Sequence, residues 1–261
     1  YDDCEPGEHY LELSVTEENL VDKVCSEFNK VVVVVNANNT MELGWVDDYP
    51  QIKSVILTPG PGVSGFDGLG KILSGEVNPS GRTADTFVKD LTSTPYFNNI
   101  GSFFYENVND LCQANLAADA AFEGCMSFVN CVESIYVGYK FYETAYDEGM
   151  SGFDYDSMVQ YPFGHGLSYT TFTQSIKNFS DNGDTVTFEV EVTNTGSVAG
   201  KDVVEVYFTP PYTNGGIEKA SVNLVQYSKT DLLSAGASET IPFSIPKEDM
   251  ASYDERGVKV N

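Results

Sequence analysis

The sequence contains few basic residues and almost no histidine. Against 39 Asp and Glu residues it has 14 Lys and Arg and 2 His, which gives a formal net charge of −25. A charge of this sign and size repels phosphate backbones and anionic membranes, so no nucleic-acid partner is predicted. The acidic residues are spread along the chain rather than gathered in a tail, a distribution that is typical of a solvated acidic surface.

Long apolar runs and paired cysteine motifs are also missing. No stretch approaches the ~20 residues of a membrane span, so no membrane partner is expected, and residue 1 does not open a signal peptide. Five cysteines are present, Cys4, Cys25, Cys112, Cys125 and Cys131, with no CxxC motif and an odd count. Reduced thiols are therefore expected, which favours a cytoplasmic over a secreted location without establishing it.

The first part of the chain alternates between helical and strand patterns. Ser14 and Glu17 form a capping box ahead of apolar residues spaced three and four apart as far as Phe28, which predicts a helix with one buried face. The run Val31–Val35 is apolar on both faces, as a central strand of a helix-covered parallel sheet requires. A second such strand is predicted at 54–57, so the pattern indicates an α/β domain with a mostly parallel sheet.

Loops that follow parallel strands carry function in α/β domains, which directs attention to residues 36–40 and 58–64. The second loop contains Pro-Gly-Pro-Gly and could also be a plain turn. A helix is predicted at about 65–73. From 78 to about 172 the pattern is irregular and aromatic, which favours ordered loops, except for an Ala-rich stretch at 111–122 that predicts a helical insertion.

After Phe172 the apolar period changes to two. Val186, Phe188, Val190 and Val192 alternate with polar residues and are followed by turn signals and further alternating segments. This pattern predicts an all-β sandwich of fibronectin type III character. With 41% hydrophobic residues, 261 positions can bury two cores, so we expect domains at 1–172 and 173–261.

Four runs of the chain stand out: GEVNPSGRT at 75–83, IYVGYKFY at 135–142, YPFGHGLSYT at 161–170 and VTNTGSVAGK at 192–201. In their order and spacing, these runs resemble glycoside hydrolase family three. The resemblance covers nearly the whole chain. It implies the second half of that family's α/β sandwich domain followed by its fibronectin type III-like domain, without the family's TIM-type barrel.

The resemblance implies a β-glucosidase-like, retaining and exo-acting β-glycosidase that cleaves terminal non-reducing β-linked sugars without a cofactor or metal. In that family an Asp on the barrel is the nucleophile, and a Glu in a Ser-Gly-Glu-Gly stretch directly before a Tyr-Asp pair is the acid/base. Because this chain begins with Tyr1 and Asp2, the acid/base is expected just before Tyr1. Glu5 and Glu8 are weaker candidates that are expected to be surface carboxylates, so the 261 residues alone are predicted to be inactive.

Other matched residues are expected to be structural. His165 and its flanking glycines and aromatics are predicted to pack between the domains, and Arg82 is predicted to bond a carboxylate or carbonyls. Asp154 and Asp156 loosely suggest a calcium loop but lack the other ligands of an EF-hand, which favours a solvated turn. Asp3 stands where many relatives have Arg, which puts the geometry of the acid/base loop in doubt.

The implied partners are β-linked glucosides or oligosaccharides and the barrel domain of the same enzyme, and homo-oligomerisation stays open. The C-terminal domain is expected to lack a strand, since family members continue past the equivalent of 252–254. A noncatalytic carbohydrate-binding or cell-surface adhesion module is the alternative function.

Overall fold

A computed structural model describes residues 11–97, 103–104, 127–128, 130–254, 256–257 and 259–260. The helices are α1 (Val15–Glu27), α2 (Phe66–Leu73), α3 (Tyr139–Asp147) and α4 (Tyr155–Met158). The strands are β1 (Val31–Val35), β2 (Ile52–Leu57), β3 (Phe87–Val88), β4 (Phe103–Phe104), β5 (Ser127–Phe128), β6 (Val159–Tyr161), β7 (Phe172–Asp181), β8 (Thr185–Asn194), β9 (Val203–Phe208), β10 (Asn223–Lys229), β11 (Ser238–Pro246), β12 (Ser252–Tyr253) and β13 (Lys259–Val260). Within this described part, no helix is both long and apolar enough to cross a bilayer.

The predicted order of helix, strand, strand and helix in the first part is confirmed. The Ser14 hydroxyl accepts a hydrogen bond from the Glu17 backbone N–H, and the Glu17 carboxylate accepts one from the Ser14 N–H, so the capping box starts α1 as expected. Strands β1 and β2 pair in parallel, with Val33 opposite Val55. Helix α2 also forms at the predicted residues.

The expected burial of α1 and β1 is wrong for this chain. Cys25 is the only buried residue of α1, whereas Leu20 is largely exposed, as is Phe28 at the C-terminal cap. On β1, Val32 and Val34 are 45% and 38% exposed. A strand is buried on both faces only when other elements cover both faces. Strands β1 and β2 are the only members of their sheet in the described residues, and the described elements cover this side of β1 only in part.

The aromatic segment around 136–142 was expected to be a loop, and this prediction is wrong because helix α3 begins there at Tyr139. The helix buries Tyr142 and Ala145, which are three residues apart and lie on one face. Tyr142 packs with Val88, Leu91 and Val159 in a small core beside the two-stranded β3–β6 sheet. The predicted helical insertion at 111–122 lies outside the described residues.

The predicted β-sandwich is confirmed. One sheet has the order β11-β8-β7 and the other pairs β9 with β10, all antiparallel. The alternating residues of β8 named above face a core that also contains Val204 of β9 and Ile241, Phe243 and Ile245 of β11. Strands β7 and β10 were not predicted from the sequence. In β7 the apolar and polar positions do not alternate cleanly, and in the structure none of its residues is buried.

Part of the inner face of the sandwich is uncovered. Ile176 of β7 and Ile241 of β11 both pair with Val190 of β8, so the three side chains project from the same face of the sheet. Ile241 is 7% exposed, but Ile176 is 67% exposed. The facing sheet therefore covers the β11 side of the core and leaves the β7 side open.

This difference gives a matched pair of substitutions. Ile241→Ala removes a buried side chain and should lower the free energy of unfolding by about 2–5 kcal/mol. Ile176→Ala makes the same chemical change two strands away and should cost no more than about 1 kcal/mol, because little buried surface is lost. Urea unfolding followed by circular dichroism measures both, and equal costs would contradict an open sandwich edge.

Candidate functional site

The two loops at the carboxyl ends of β1 and β2 meet. Gly60 has a positive φ of 53°, which favours glycine, and a Cβ atom at this position would lie 2.8 Å from the Asn38 side-chain oxygen, so the two loops approach each other closely. The Thr58 hydroxyl donates to the Val35 carbonyl oxygen at 3.0 Å and ties the end of β2 to the end of β1. Neither 36–40 nor 58–64 contains a carboxylate, so these loops can position a ligand but cannot supply an acid.

The family-like runs come together at a seam between the first part of the chain and the β-sandwich. The Asn78 amide donates to the Ala199 carbonyl oxygen at 3.1 Å and accepts from the Ser168 hydroxyl and the Tyr169 N–H at 3.0 and 2.8 Å. One side chain thereby joins three of the four runs. The runs therefore have an architectural role, because their polar groups satisfy one another.

Arg82 and Asp202 form an ion pair across the same seam, as predicted for Arg82. The Arg82 Nη2 to Asp202 Oδ1 distance is 2.6 Å, and the two side chains are 19% and 7% exposed. Gln174 donates to the other Asp202 oxygen at 2.8 Å, and the Thr230 hydroxyl accepts from the Asp202 N–H. Two side chains thus hold the carboxylate and a third holds the backbone of Asp202, which fixes the sandwich against the preceding segment.

His165 lies in the seam and packs as expected. Its ring is stacked on Tyr161 with a centroid distance of 5.3 Å, and its N–H and C=O groups bond to Thr83. Burial and the neighbouring Arg82 guanidinium lower the pKa of the His165 imidazole below its ordinary value. In the described part of the chain, the ring makes no hydrogen bond to a carboxylate that would orient it as a catalytic base.

A pocket of about 260 Å³ opens at the seam next to these contacts. It is lined by Tyr139, Glu143, Phe163, Glu205, Tyr207 and Val222. The Tyr139 ring lies 4.6 Å from the Phe163 ring and 6.1 Å from the Tyr207 ring, measured between centroids. Helix α3 and the segment after β6 supply one wall, and strand β9 supplies the other.

Both carboxylates of this seam pocket accept hydrogen bonds from tyrosine hydroxyls. Tyr155 Oη donates to Glu143 Oε1 at 2.6 Å, and Tyr207 Oη donates to Glu205 Oε2 at 2.8 Å. Burial and the adjacent carboxylates raise the pKa of both tyrosines, so their hydroxyls stay protonated donors. Sequence reasoning missed these glutamates, although the four-residue Tyr139 to Glu143 spacing and the two-residue Glu205 to Tyr207 spacing each place a ring and a carboxylate on one face.

The other site residues named from the sequence do not form a site in the described residues. Glu5 and Glu8, like Asp3 and the stretch before Tyr1, lie outside the residues that the structure describes. Asp154 and Asp156 are exposed, Asp154 as the residue before α4 and Asp156 in its first turn. Across the described ranges, no group of three His, Cys, Asp or Glu side chains could hold a metal ion.

Comparisons with known proteins establish the family to which the chain belongs. The glycosyl hydrolase family 3 C-terminal domain matches residues 5–169, and a fibronectin type III-like domain matches residues 202–260. The chain belongs to glycosyl hydrolase family 3.

Its relatives are similar along almost all of the chain. Beta-glucosidase A of Butyrivibrio fibrisolvens is 33% identical over 96% of this chain and 28% of its own length, and a beta-glucosidase of Ruminococcus albus is 30% identical over 99% and 23%. The structure of beta-glucosidase 3B of Thermotoga neapolitana in complex with glucose superimposes with a TM-score of 0.75 at 31% identity, over 95% of this chain and 31% of that one. The chain therefore spans about a quarter of the length of the curated relatives that it matches.

We expect the loss of the Arg82–Asp202 ion pair to lower the stability of the chain strongly. Asp202→Asn leaves the partly buried Arg82 guanidinium without its counter-charge and should lower the free energy of unfolding by about 3–5 kcal/mol. Glu191→Gln breaks the exposed pair with Lys177, for which the Nζ to Oε1 distance is also 2.6 Å, and should cost at most about 1 kcal/mol. Urea denaturation separates the two, and equal costs would contradict the structural role of Arg82.

The lowered pKa of His165 predicts that the stability of the chain depends on pH. Because its pKa is lower in the folded than in the unfolded state, the unfolded chain takes up a proton first when the pH falls below about 6.5. The stabilisation by neutral His165 is complete above that value and is lost between it and the lower folded pKa. His165→Gln should flatten this part of the curve of unfolding free energy against pH. An unchanged slope in the variant would contradict the assignment.

Proposed function

We propose that this chain is part of a retaining, exo-acting β-glycosidase of the β-glucosidase type, which hydrolyses terminal non-reducing β-linked sugars. The supporting observation is that the chain aligns along nearly its whole length with enzymes named beta-glucosidase while spanning about a quarter of them. In this proposal β-linked glucosides or oligosaccharides are the substrates, and the domain boundary lies at residue 172.

Retaining hydrolysis needs two carboxyl groups about 5–5.5 Å apart, one as nucleophile and one as acid/base. We assign both to regions outside the described residues, in keeping with the resemblance. The seam pocket does not replace them, because Glu143 and Glu205 each already accept a tyrosine hydroxyl. At about 260 Å³ the pocket is also below the about 300–1,000 Å³ that is typical of ligand sites, which leaves no room for a disaccharide in a closed active site.

The exposed side of β1 supports the proposal that another part of the same enzyme packs against this chain. Val32 and Val34 present apolar surface, Leu20 and Phe28 are also exposed, and a two-stranded parallel sheet is normally part of a larger covered sheet. In the proposal, the rest of the α/β domain and the barrel domain of the same enzyme cover this surface. The alternative of a binding or adhesion module is not supported, since the relatives that match the chain are enzymes by name.

The proposal predicts inactivity of the chain alone and recovery by complementation. The purified 261 residues should not release nitrophenol from a nitrophenyl β-glucoside. Co-expression with the remaining regions of a close family member, supplied as a separate polypeptide, should restore turnover. Activity of the chain by itself would overturn the assignment of both carboxylates to other regions.

A pair of charge substitutions tests where the second polypeptide docks. Val32→Asp places a charge on the exposed side of β1 and should abolish complementation, because burying an unpaired carboxylate is strongly unfavourable. Leu232→Asp changes an exposed apolar residue of the sandwich and should leave complementation intact. Circular dichroism checks that both variants fold, and recovery of activity in the folded Val32→Asp variant would contradict docking on this surface.

A further inference from the structure

The seam pocket has a negative and aromatic lining. Three of its six lining residues are aromatic, two are glutamates and the last is Val222, so both charged groups carry the same sign. Aromatic rings present electron-rich faces to a bound group, and their quadrupoles favour a positive charge. The lining is therefore suited to a cation with an apolar body.

The two carboxylates have no cation of their own. Among the described residues, neither Glu143 nor Glu205 forms an ion pair with Lys, Arg or His. Tyrosine hydroxyls stabilise one oxygen of each carboxylate, and the second oxygens, Glu143 Oε2 and Glu205 Oε1, receive no hydrogen bond from a described residue. Half-buried carboxylates are ordinarily paired, so this arrangement has an unmet requirement for positive donors.

The pocket is also held in place before any ligand enters. Gly164 has a φ of 77°, and a Cβ atom at this position would overlap the Glu205 carboxylate, so the backbone of the segment after β6 closely approaches that side chain. Tyr139, on the same wall as this segment, is also fixed, because its hydroxyl accepts the Leu224 N–H at 2.8 Å. The position of Tyr139 thus depends on both the helix and the sandwich, which limits the reorganisation that binding would require.

From these contacts we propose that the seam pocket binds a small primary alkylammonium ion. The ammonium group donates to the second oxygens of Glu143 and Glu205, while the alkyl body lies against Tyr139, Phe163 and Tyr207. Anions are excluded by the two carboxylates. A neutral ligand of the same shape would meet the rings but would leave the paired negative charge uncompensated.

The test uses propylammonium and its neutral counterpart propanol as probes. The full 261-residue chain is titrated with each at constant ionic strength, and the amide resonances near Val222 and Leu224 are followed by NMR. Saturable shifts with propylammonium and much weaker ones with propanol are expected. Equal responses to the two probes, or no saturable response to propylammonium, would overturn the proposal.

Substitutions assign the response to the pocket. Glu143→Gln and Glu205→Gln should each weaken propylammonium binding about tenfold or more, because each removes one charge-assisted hydrogen bond. Glu148→Gln is the matched control, since this glutamate caps the same helix outside the pocket and should leave affinity unchanged. If both pocket variants bind as the native chain does, the site is elsewhere and the proposal fails. The comparison of the two probes tests the proposal even if a variant does not fold.

Discussion

The contact between Arg82 and Asp202 organises the seam on which the rest of the described structure depends. The pair is partly withdrawn from water, and its carboxylate is also bonded by Gln174 on strand β7. Such a pair is stable only while all of its partners stay in place, because an unmatched buried charge is costly. The segment before α3, the run around His165 and the sandwich are therefore held in one arrangement, beside which lies the pocket lined by Tyr139 and Tyr207.

Local sequence patterns predicted the elements whose apolar residues recur at one regular spacing. The capping box of α1, the valine run of β1 and the alternation of β8 depend on neighbours a few residues away, so their type can be read directly from the sequence. Helix α3 was missed because its many aromatic residues hide the spacing of the buried residues Tyr142 and Ala145. The burial predicted for β1 was wrong, because the exposure of a strand depends on which elements cover the sheet and not on the strand's own residues.

The candidate site was less predictable than the fold for the same reason. Glu143 and Glu205 are 62 residues apart in sequence, and only the docking of α3 against β9 gives them a common pocket. The chain combines a strongly acidic composition with uncovered apolar surface on β1 and β7. Like charges on every copy oppose self-association at long range, whereas the apolar surfaces act only on contact. This combination keeps the exposed apolar surfaces available for a specific binding partner.

The sequence separation of the seam contacts has a consequence for the order of folding. Strands β7 and β8 are joined by a three-residue turn and need to close only a short loop, whereas the Asn78 and Arg82 contacts join residues 121 and 120 positions apart. Closing long loops costs more entropy and slows assembly. We therefore expect the sandwich to form as an early nucleus and the seam to close in the final cooperative step, which makes the aromatic pocket one of the last features to appear on the folding pathway.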